Sequence, residues 1–194
     1  NGAGKSTTLR ILSGLVAADS GEAKVCGVDL AEEEGEVREH IGYLAENNPL
    51  PEDFRVIEYL KYRASLKGLK GSRKRERIKS VLEICDLERQ ISEKRIGNLS
   101  KGFRQRVGIA DSLLAEPRLI ILDEPFNSLD PSTQIRLKNL LKKIQDDRQV
   151  TALISSHDLQ HVTEVCERIV VLEKGNIVHD IKTTSSTLKD LESY

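Results

Sequence analysis

The chain starts with a glycine-rich turn that runs directly into a helical pattern, and this feature restricts the possible fold more than any other. The first ten residues, NGAGKSTTLR, match the end of the Gly-x-x-x-x-Gly-Lys-Ser/Thr loop that binds phosphates. In such loops the glycines let backbone N–H groups curl around phosphate oxygens, and the dipole of the following helix attracts the same negative charge. The motif therefore favours an α/β fold in which a strand leads into the loop.

Three side chains of the loop carry the phosphate chemistry. Lys5 would reach the β- and γ-phosphates of a nucleotide, the Ser6 hydroxyl would ligate Mg²⁺, and Thr7 is placed to donate to an α-phosphate oxygen. The first glycine of the motif would lie before Asn1, outside the chain. From this stretch alone, an ordinary glycine-rich turn before a helix therefore remains an alternative interpretation.

Composition and charge narrow the class of protein. The 194 residues include 30 basic and 31 acidic side chains, a formal net charge of −1, which argues against a surface that coats nucleic acid or membrane. No stretch is apolar for long enough to span a membrane. The three cysteines are widely spaced and contain no C-x-x-C pair, which predicts reduced thiols in a cytoplasmic protein.

Strand and helix patterns alternate along the chain, which predicts a largely parallel sheet flanked by helices. The helix after Ser100 places Phe103, Val107, Ala110 and Leu114 on one face. The other predicted elements are a helix at 6–15 with Leu9, Leu12 and Leu15 near one face, a strand and turn at 22–30, an acidic helix at 32–40, strands at 41–44, 118–125 and 150–157, a helical insert at 50–98, a helix at 131–145, and a final helix and hairpin that turns at 174–176.

The helical insert carries a basic cluster that has two interpretations. Its members are Arg73, Lys74, Arg75, Arg77 and Lys79. A nucleic-acid patch is one interpretation, but an exposed helix face is favoured because Glu76 interrupts the cations. No nucleic-acid partner is therefore expected.

Chemistry is concentrated where the predicted strands end, because ligands of open α/β sheets gather outside the carboxyl ends of strands. Asp123 and Glu124 follow an apolar strand that should be buried on both faces. One carboxylate can hold Mg²⁺ through water, and the other can polarise an attacking water. His157 ends a second strand that we also expect to be buried, near a γ-phosphate. An acidic helix cap and a structural histidine stay open as alternatives.

Five segments together resemble the motifs of ABC-type ATPases, in the family's order and over nearly the whole chain. They are the phosphate loop at 1–7, the strand and start of the Q-loop at 41–46 (IGYLAE), the signature at 98–114 (NLSKGFRQRVGIADSLL), the Walker B strand with the catalytic glutamate and D-loop at 119–131 (LIILDEPFNSLDP), and the switch-histidine strand at 154–157 (ISSH). The resemblance implies an α/β P-loop NTPase fold with an α-helical subdomain that carries the signature motif. It divides the chain into a first core part at 1–49, a helical subdomain at 50–115 and a second core part at 116–194.

The resemblance also implies a role for each motif residue, with ATP and Mg²⁺ as cofactors. Ser6, Glu46 and Asp123 would arrange Mg²⁺ and its water. Glu124 would polarise the hydrolytic water, and His157 would contact the γ-phosphate as the second catalytic residue. The phosphates of ATP would be cradled by Asn1, Gly2, Ala3, Gly4, Lys5, Ser6 and Thr7.

The same resemblance implies partners and a location. Members of this family sandwich ATP between two head-to-tail copies, so Ser100, Lys101 and Gly102 would face the γ-phosphate held by the opposite subunit, with Asp130 crossing the interface. The expected assembly is a homodimer or a pair with a paralogous ATPase subunit. The helical insert resembles the arm that docks on integral-membrane permease subunits. The protein would therefore lie in the cytoplasm, peripheral on the inner face of the cell membrane.

Two residues depart from the usual motifs and indicate a subfamily. Glu46 stands where the Q-loop has glutamine, and Lys101 stands where the signature has glycine. Both departures are similar to those in ATP-binding subunits of type-2 ABC exporters, including the gliding-motility kind. The resemblance therefore favours an ATP-hydrolysing motor subunit of an exporter. The alternative is a soluble ABC ATPase of the translation-factor type, whereas the short distance from Lys5 to Asp123 excludes the long coiled coil of the DNA-repair kind.

The family normally supplies further strands before the phosphate loop, including the one that delivers it. About 30 residues would be needed for a few such strands and their turns. Loss of a central strand leaves backbone groups without partners inside the core. We therefore expect residues 1–194 expressed alone to be prone to aggregation and to bind ATP poorly in a calorimetric titration; tight binding there would contradict this expectation.

Overall fold

The computed structural model describes residues 2–148 and 150–192. The strands are β1 (Lys24–Val25), β2 (Val28–Asp29), β3 (Ile41–Leu44), β4 (Leu119–Leu122), β5 (Thr151–Ile154), β6 (Arg168–Glu173) and β7 (Asn176–Lys182). The helices are α1 (Lys5–Leu12), α2 (Glu34–His40), α3 (Val56–Leu66), α4 (Gly71–Ile84), α5 (Arg89–Ser92), α6 (Lys101–Leu113), α7 (Pro131–Arg148), α8 (Leu159–Val165) and α9 (Thr187–Glu192), with a 3₁₀ turn at Ile96–Asn98. None of these helices is both long enough and apolar enough to cross a membrane in the part of the chain that the structure describes.

A parallel sheet with the order β3-β4-β5 forms the centre of the molecule. The middle strand, β4, pairs Leu122 with Leu44 on one side and with Ile154 on the other. Its side chains alternate between two hydrophobic clusters, because successive residues of a strand point to opposite faces. Ile120 and Leu122 belong to the larger cluster, and Ile121 belongs to the smaller one. The predicted α/β fold with a buried strand before Asp123 is therefore confirmed.

The prediction that β5 is a buried strand is wrong. Thr151 is exposed and Leu153 retains 36% of its accessible surface. The reason is its place in the sheet, since β5 is an edge strand that pairs only with β4 in the part of the chain described. An apolar run signals a strand but does not specify whether that strand lies in the centre of the sheet or at its edge.

Two smaller expectations also need correction. The first helix ends at Leu12, and Leu15 is 57% exposed beyond the turn at Gly14, so it does not extend the apolar face. Arg77 does not belong to an exposed basic face, because it is buried and its guanidinium donates to the carbonyl oxygens of Leu113 and Leu114 at the end of α6. A cation at a helix C-terminus satisfies carbonyl groups that have no partner within the helix.

Helix α6 packs unusually close to its neighbours, and glycines permit the approach. A Cβ atom on Gly42 of β3 would lie 2.2 Å from the carbonyl oxygen of Ser112 in α6. A Cβ atom on Gly102 of α6 would lie 2.4 Å from Cγ2 of Thr133 in α7. At Gly42 the obstacle is a backbone oxygen, so this position requires glycine for packing, whereas at Gly102 the Thr133 side chain would have to shift to admit a Cβ atom. These contacts fix the signature helix against the sheet and against α7.

Candidate phosphate-binding and catalytic site

Four of the five sequence motifs meet at a cavity of about 270 Å³ in front of α1. Residues of the phosphate loop form one side, and three segments that follow β3, β4 and β5 form the other. This position agrees with the rule that ligands of α/β sheets bind at the carboxyl ends of strands. The lining residues are Gly2, Ala3, Gly4, Lys5, Ser6, Thr7, Glu46, Glu124, Asn127 and His157. Asn1 lies outside the described residues.

The loop has the geometry that an anion requires. Gly2 and Gly4 adopt φ angles of 84° and 94°, a region that residues with a Cβ atom rarely occupy. Gly4 is the N-cap of α1 and supplies no side-chain acceptor, and the first turn of the helix contains no acidic residue. The N–H groups and the positive end of the helix dipole are thus available to phosphate oxygens. The β6–β7 turn supports the loop, since the Gly175 N–H donates to the Ala3 carbonyl oxygen at 3.1 Å.

A chain of short contacts joins the phosphate loop to the end of β4. The Ser6 hydroxyl donates to Asp123 Oδ1 at 3.2 Å, and the Ser155 hydroxyl donates to the same oxygen at 2.6 Å. Asp123 is almost fully buried, with 2% of its surface exposed. The structure therefore brings together Ser6 and Asp123, as the motifs predicted. It adds Ser155, which could not be singled out from the sequence because a serine directly after a strand carries no signal of its own.

Glu124 and His157 are in direct contact at the cavity. The Nδ1 atom of His157 lies 2.9 Å from Oε2 of Glu124. The Glu124 side chain is only 11% exposed, whereas that of His157 is 59% exposed. Glu124 also has a positive φ of 48°, which is unfavourable for a residue other than glycine and is typical of functional sites. An acidic side chain beside a histidine, aimed at a phosphate-binding loop, can accept a proton from a water.

Glu46 reaches the cavity from the segment after β3. Its Oε1 atom accepts a hydrogen bond from the Asn127 amide at 3.3 Å, and both residues line the cavity. Asn127 is the second residue that the sequence analysis missed, although it lies inside the motif that runs from Walker B to the D-loop. The contact ties the Q-loop position to the loop that carries Glu124.

The side chains present fit ATP with Mg²⁺. Lys5 is a cation, Ser6 and Thr7 are hydroxyl donors, and the loop N–H groups complete a set that suits phosphate oxygens. Across residues 2–148 and 150–192, no group of three or more His, Cys, Asp and Glu side chains is arranged to hold a metal ion. Mg²⁺ is commonly bound by one or two carboxylates together with water and substrate phosphates. The Asp123 carboxylate beside the Ser6 hydroxyl is therefore an appropriate donor set for this ion.

The signature residues lie elsewhere. Ser100 is the N-cap of α6, and its hydroxyl accepts a hydrogen bond from the Phe103 N–H. Ser100 and Lys101 are exposed, and neither they nor Gly102 line the cavity. Asp130 also lies outside the cavity, and its carboxylate accepts hydrogen bonds from the Thr133 N–H and from the Thr133 and Ser132 hydroxyls. The structure thus groups the phosphate loop, Glu46, Glu124 and His157, but not the signature residues or Asp130.

The capping bonds of Asp130 predict a pH dependence of stability. Hydrogen bonds from the Thr133 and Ser132 side chains hold the pKa of Asp130 well below its usual range. A carboxyl whose pKa is lowered by folding stabilises the protein above its unfolded pKa of about 4, and this contribution is lost as the pH falls towards the folded pKa. We expect Asp130→Asn to melt below the wild type at pH 6 and the difference to shrink towards pH 2, as measured by circular dichroism. A difference that stays constant with pH would contradict this role.

Comparison of the sequence with known proteins identifies a family and several relatives. Residues 1–127 match the family model described as ABC transporter. The chain is 34% identical to the ABC transporter ATP-binding protein YhcH of Bacillus subtilis, over 100% of this chain and 62% of that protein. It is 33% identical to YbhF of Escherichia coli, named a probable multidrug ABC transporter ATP-binding protein, over 100% of this chain and 32% of that protein. It is 34% identical to CysA of Methylococcus capsulatus, named a sulfate/thiosulfate import ATP-binding protein, over 91% of this chain and 51% of that protein.

A solved structure shares the fold. The ATP-binding cassette MJ0796, determined as a dimer in a post-hydrolysis state with ADP and Pi, superposes with a TM-score of 0.82 at 27% identity, over 94% of this chain and 82% of that one. The chain spans about a third to three fifths of the curated relatives that it matches. The family match covers the phosphate loop, the signature and the Walker B segment. The chain therefore belongs to the ABC transporter family, and its fold is that of the family's P-loop ATP-binding domain.

Proposed function

We propose that this chain binds and hydrolyses ATP as the motor part of an ABC transporter, and that the transporter is an exporter. The observation that carries the proposal is the cavity where the phosphate loop faces the Glu124–His157 contact of 2.9 Å. A phosphate cradle alone would bind a nucleotide. A carboxylate and a histidine on the opposite wall add the means to activate water for attack on the terminal phosphate.

In the proposed complex the phosphate loop holds ATP. Backbone N–H groups of the loop donate to phosphate oxygens, and Lys5 neutralises the β- and γ-phosphates. Ser6, Glu46 and Asp123 would hold Mg²⁺ with its water, and the ion supplies charge neutralisation at the phosphates. Ser6 and Asp123 are already within hydrogen-bond distance, so they can share one ion with little movement.

Glu124 is the proposed general base for hydrolysis. Its side chain is shielded from solvent and is held by His157, which orients the carboxylate and can also contact the γ-phosphate. A general base of this kind contributes about 10²- to 10⁴-fold to a rate. The carboxylate takes the proton of the attacking water as the new bond to the γ-phosphorus forms and the bond from that phosphorus to the β–γ bridging oxygen breaks, which releases ADP and inorganic phosphate.

The proposed assembly is a head-to-tail dimer, formed with a second copy or a paralogous ATPase subunit. Ser100, Lys101 and Gly102 lie at the exposed start of α6, away from their own cavity. An N-terminal helix turn with an adjacent lysine suits an anion. We propose that it contacts the ATP of the opposite subunit, with Asp130 near the interface. MJ0796 is dimeric in its structure with ADP and Pi, which supports the proposal of a dimer.

The proposed permease contact lies on the helical part at 50–115, between the core parts at 1–49 and 116–194. Phe54, Tyr62 and Leu66 are 39%, 54% and 61% exposed, and the rings of Phe54 and Tyr62 pack 6.2 Å apart. Exposed apolar groups that cluster in this way mark interaction surfaces. Binding there to integral-membrane subunits would place the protein on the cytoplasmic, inner face of the cell membrane.

The direction of transport is proposed from two side chains and one relative. Glu46 and Lys101 resemble the corresponding residues of type-2 exporters, and YbhF is named a probable multidrug transporter protein. CysA is an import protein of similar identity, so overall identity does not separate the two directions.

Phosphate release is the experiment that tests the proposed function. The intact protein, incubated with ATP and Mg²⁺, should release inorganic phosphate, and Lys5→Ala should bind ATP more weakly and release far less. The absence of ATP-dependent phosphate release by the wild type, with its permease present, would overturn the proposal. In inside-out vesicles, ATP-dependent accumulation of substrate inside the vesicle would indicate export, and its absence from these vesicles with uptake into right-side-out vesicles would indicate import.

A further inference from the structure

We propose that Ser155 is a positioning residue that joins the carboxylate of Asp123 to the backbone of Glu124 and so sets the geometry of the hydrolytic site. The inference rests on the proposed function, because it takes Asp123 as the carboxylate on the metal side and Glu124 as the general base. Ser155 itself does not line the cavity. It therefore acts through its two neighbours and does not touch the nucleotide.

A single buried hydroxyl makes both contacts. The Ser155 hydroxyl donates to Asp123 Oδ1 at 2.6 Å, and the same hydroxyl oxygen accepts the N–H of Glu124 at 2.9 Å. Ser155 is only 6% exposed. A hydroxyl can donate one hydrogen bond and accept others at the same time, so the Ser155 hydroxyl uses both its donor and its acceptor capacity. Shielding from solvent strengthens a bond to a charged carboxylate.

The backbone of Glu124 requires such support. Its φ of 48° is unfavourable for a residue with a Cβ atom, and such conformations persist only where the surroundings determine them. The hydrogen bond to Ser155 acts on the nitrogen of this same residue. The turn directs the Glu124 carboxylate to within 2.9 Å of His157. If the nitrogen lost its acceptor, the peptide could relax and move the carboxylate away from the cavity.

Strand pairing explains why position 155 supplies the hydroxyl. Leu122 of β4 pairs with Ile154 of β5, and the Ser155 N–H donates to the Leu122 carbonyl oxygen at 3.0 Å. Ser155 is thus the first residue beyond the last pair, beside the point where β4 turns into Asp123 and Glu124. Among neutral side chains of this size, only serine and threonine carry a hydroxyl directly on Cβ.

Ser6 makes a similar contact to Asp123 but has a different role. It belongs to the phosphate loop and lines the cavity. Because Ser6 is proposed to ligate Mg²⁺, we expect its bond to Asp123 to be replaced when nucleotide and ion bind. Ser155 follows β5 and contacts Asp123 from the side of the sheet, away from the cavity. We expect it to keep its bonds to Asp123 and to the Glu124 N–H both with and without nucleotide. The two hydroxyls therefore approach the same carboxylate from the ligand side and from the sheet side.

The test compares Ser155→Ala, Ser155→Thr and a matched control, Ser112→Ala. Ser112 is 2% exposed and donates to the Ile109 carbonyl oxygen within α6, so its loss also removes one buried hydroxyl. The first measurement is the hydrogen exchange rate of the Glu124 amide without nucleotide. The second is kcat and KM for ATP in the intact protein.

We expect Ser155→Ala to speed exchange of the Glu124 amide and to lower kcat by about 10- to 100-fold, the usual cost of losing an outer support of a catalytic group. KM should stay within about twofold, because the phosphate loop is untouched. Ser155→Thr should restore slow exchange and most of kcat, and Ser112→Ala should change neither.

Three results would overturn the inference. They are wild-type exchange and kcat in Ser155→Ala, an equal loss of kcat in Ser112→Ala, or a Ser155→Thr protein that protects the amide yet is as slow as Ser155→Ala. The exchange measurement needs no ATP, so it separates this inference from the proposed function. If the wild type hydrolysed no ATP, the proposed function would fail, and exchange would still decide whether Ser155 anchors Glu124.

Discussion

Replacing Glu124 with glutamine is expected to abolish steady-state ATP hydrolysis while ATP binding is retained. The side chain keeps its size and its place beside His157, but the amide cannot accept the proton of an attacking water. Loss of a general base costs about 10²- to 10⁴-fold in kcat. The phosphate loop is unchanged, so the affinity for ATP should be close to that of the wild type.

The Glu124→Gln protein should also accumulate as an ATP-bound dimer, because the proposed dimer contacts form on ATP and are released by hydrolysis. Gel filtration with ATP and Mg²⁺ would show the shift in mass, and phosphate release would show the loss of turnover. Glu22→Gln is a matched control, since Glu22 is exposed before β1 and does not line the cavity. Normal hydrolysis by Glu124→Gln would remove Glu124 from the role of base.

Replacing Gly42 with alanine is expected to destabilise the fold strongly, although the change adds only one methyl group. The new Cβ atom would lie 2.2 Å from the carbonyl oxygen of Ser112, and a backbone oxygen inside α6 cannot rotate away. The helix and β3 must therefore separate. Overpacking of this kind costs about 3 kcal/mol, at the upper end of the usual range. For a domain of this size that corresponds to a fall in Tm of about 6–12 °C.

Gly35→Ala provides the opposite control. Gly35 lies in α2, and a Cβ atom there would meet nothing within 4 Å. The substitution should stabilise the protein by about 0.5–1 kcal/mol, because alanine loses less conformational freedom in a helix. Thermal melts of the two variants should therefore move in opposite directions. Equal melting temperatures for Gly42→Ala and the wild type would show that α6 and β3 are not packed as described.

Much of the architecture could be predicted from local patterns. The apolar run before Asp123 forms a buried central strand, and Val107, Ala110 and Leu114 lie in the core, as the spacing on α6 predicted. The hairpin turns at Lys174 and Gly175, both with positive φ. These features depend on interactions between residues close in sequence or on solvent exclusion from one face, which periodicity records directly.

Other features could not be predicted because they depend on which elements become neighbours. The apolar run of β5 does not show that its strand lies at the edge of the described sheet. In the sequence, Arg77 cannot be distinguished from the surface cations around it. Only the structure shows that it lies at the end of α6 and donates to the carbonyl oxygens there. Nothing in the sequence around Gly42 distinguishes it from other glycines. That this position must be glycine becomes visible only in the structure, where the Ser112 carbonyl oxygen lies against it.

The residue types of the candidate site can be read from the chain alone, because the phosphate loop and the paired acids Asp123 and Glu124 are each contiguous and His157 directly follows an apolar strand pattern. How these groups are held depends on the tertiary fold. The register of β4 against β5 places Ser155 between Asp123 and Glu124, and the turn after β4 brings Glu124 to His157. These contacts join residues about 30 positions apart, and their distances follow from strand pairing and packing, which no short stretch of sequence specifies.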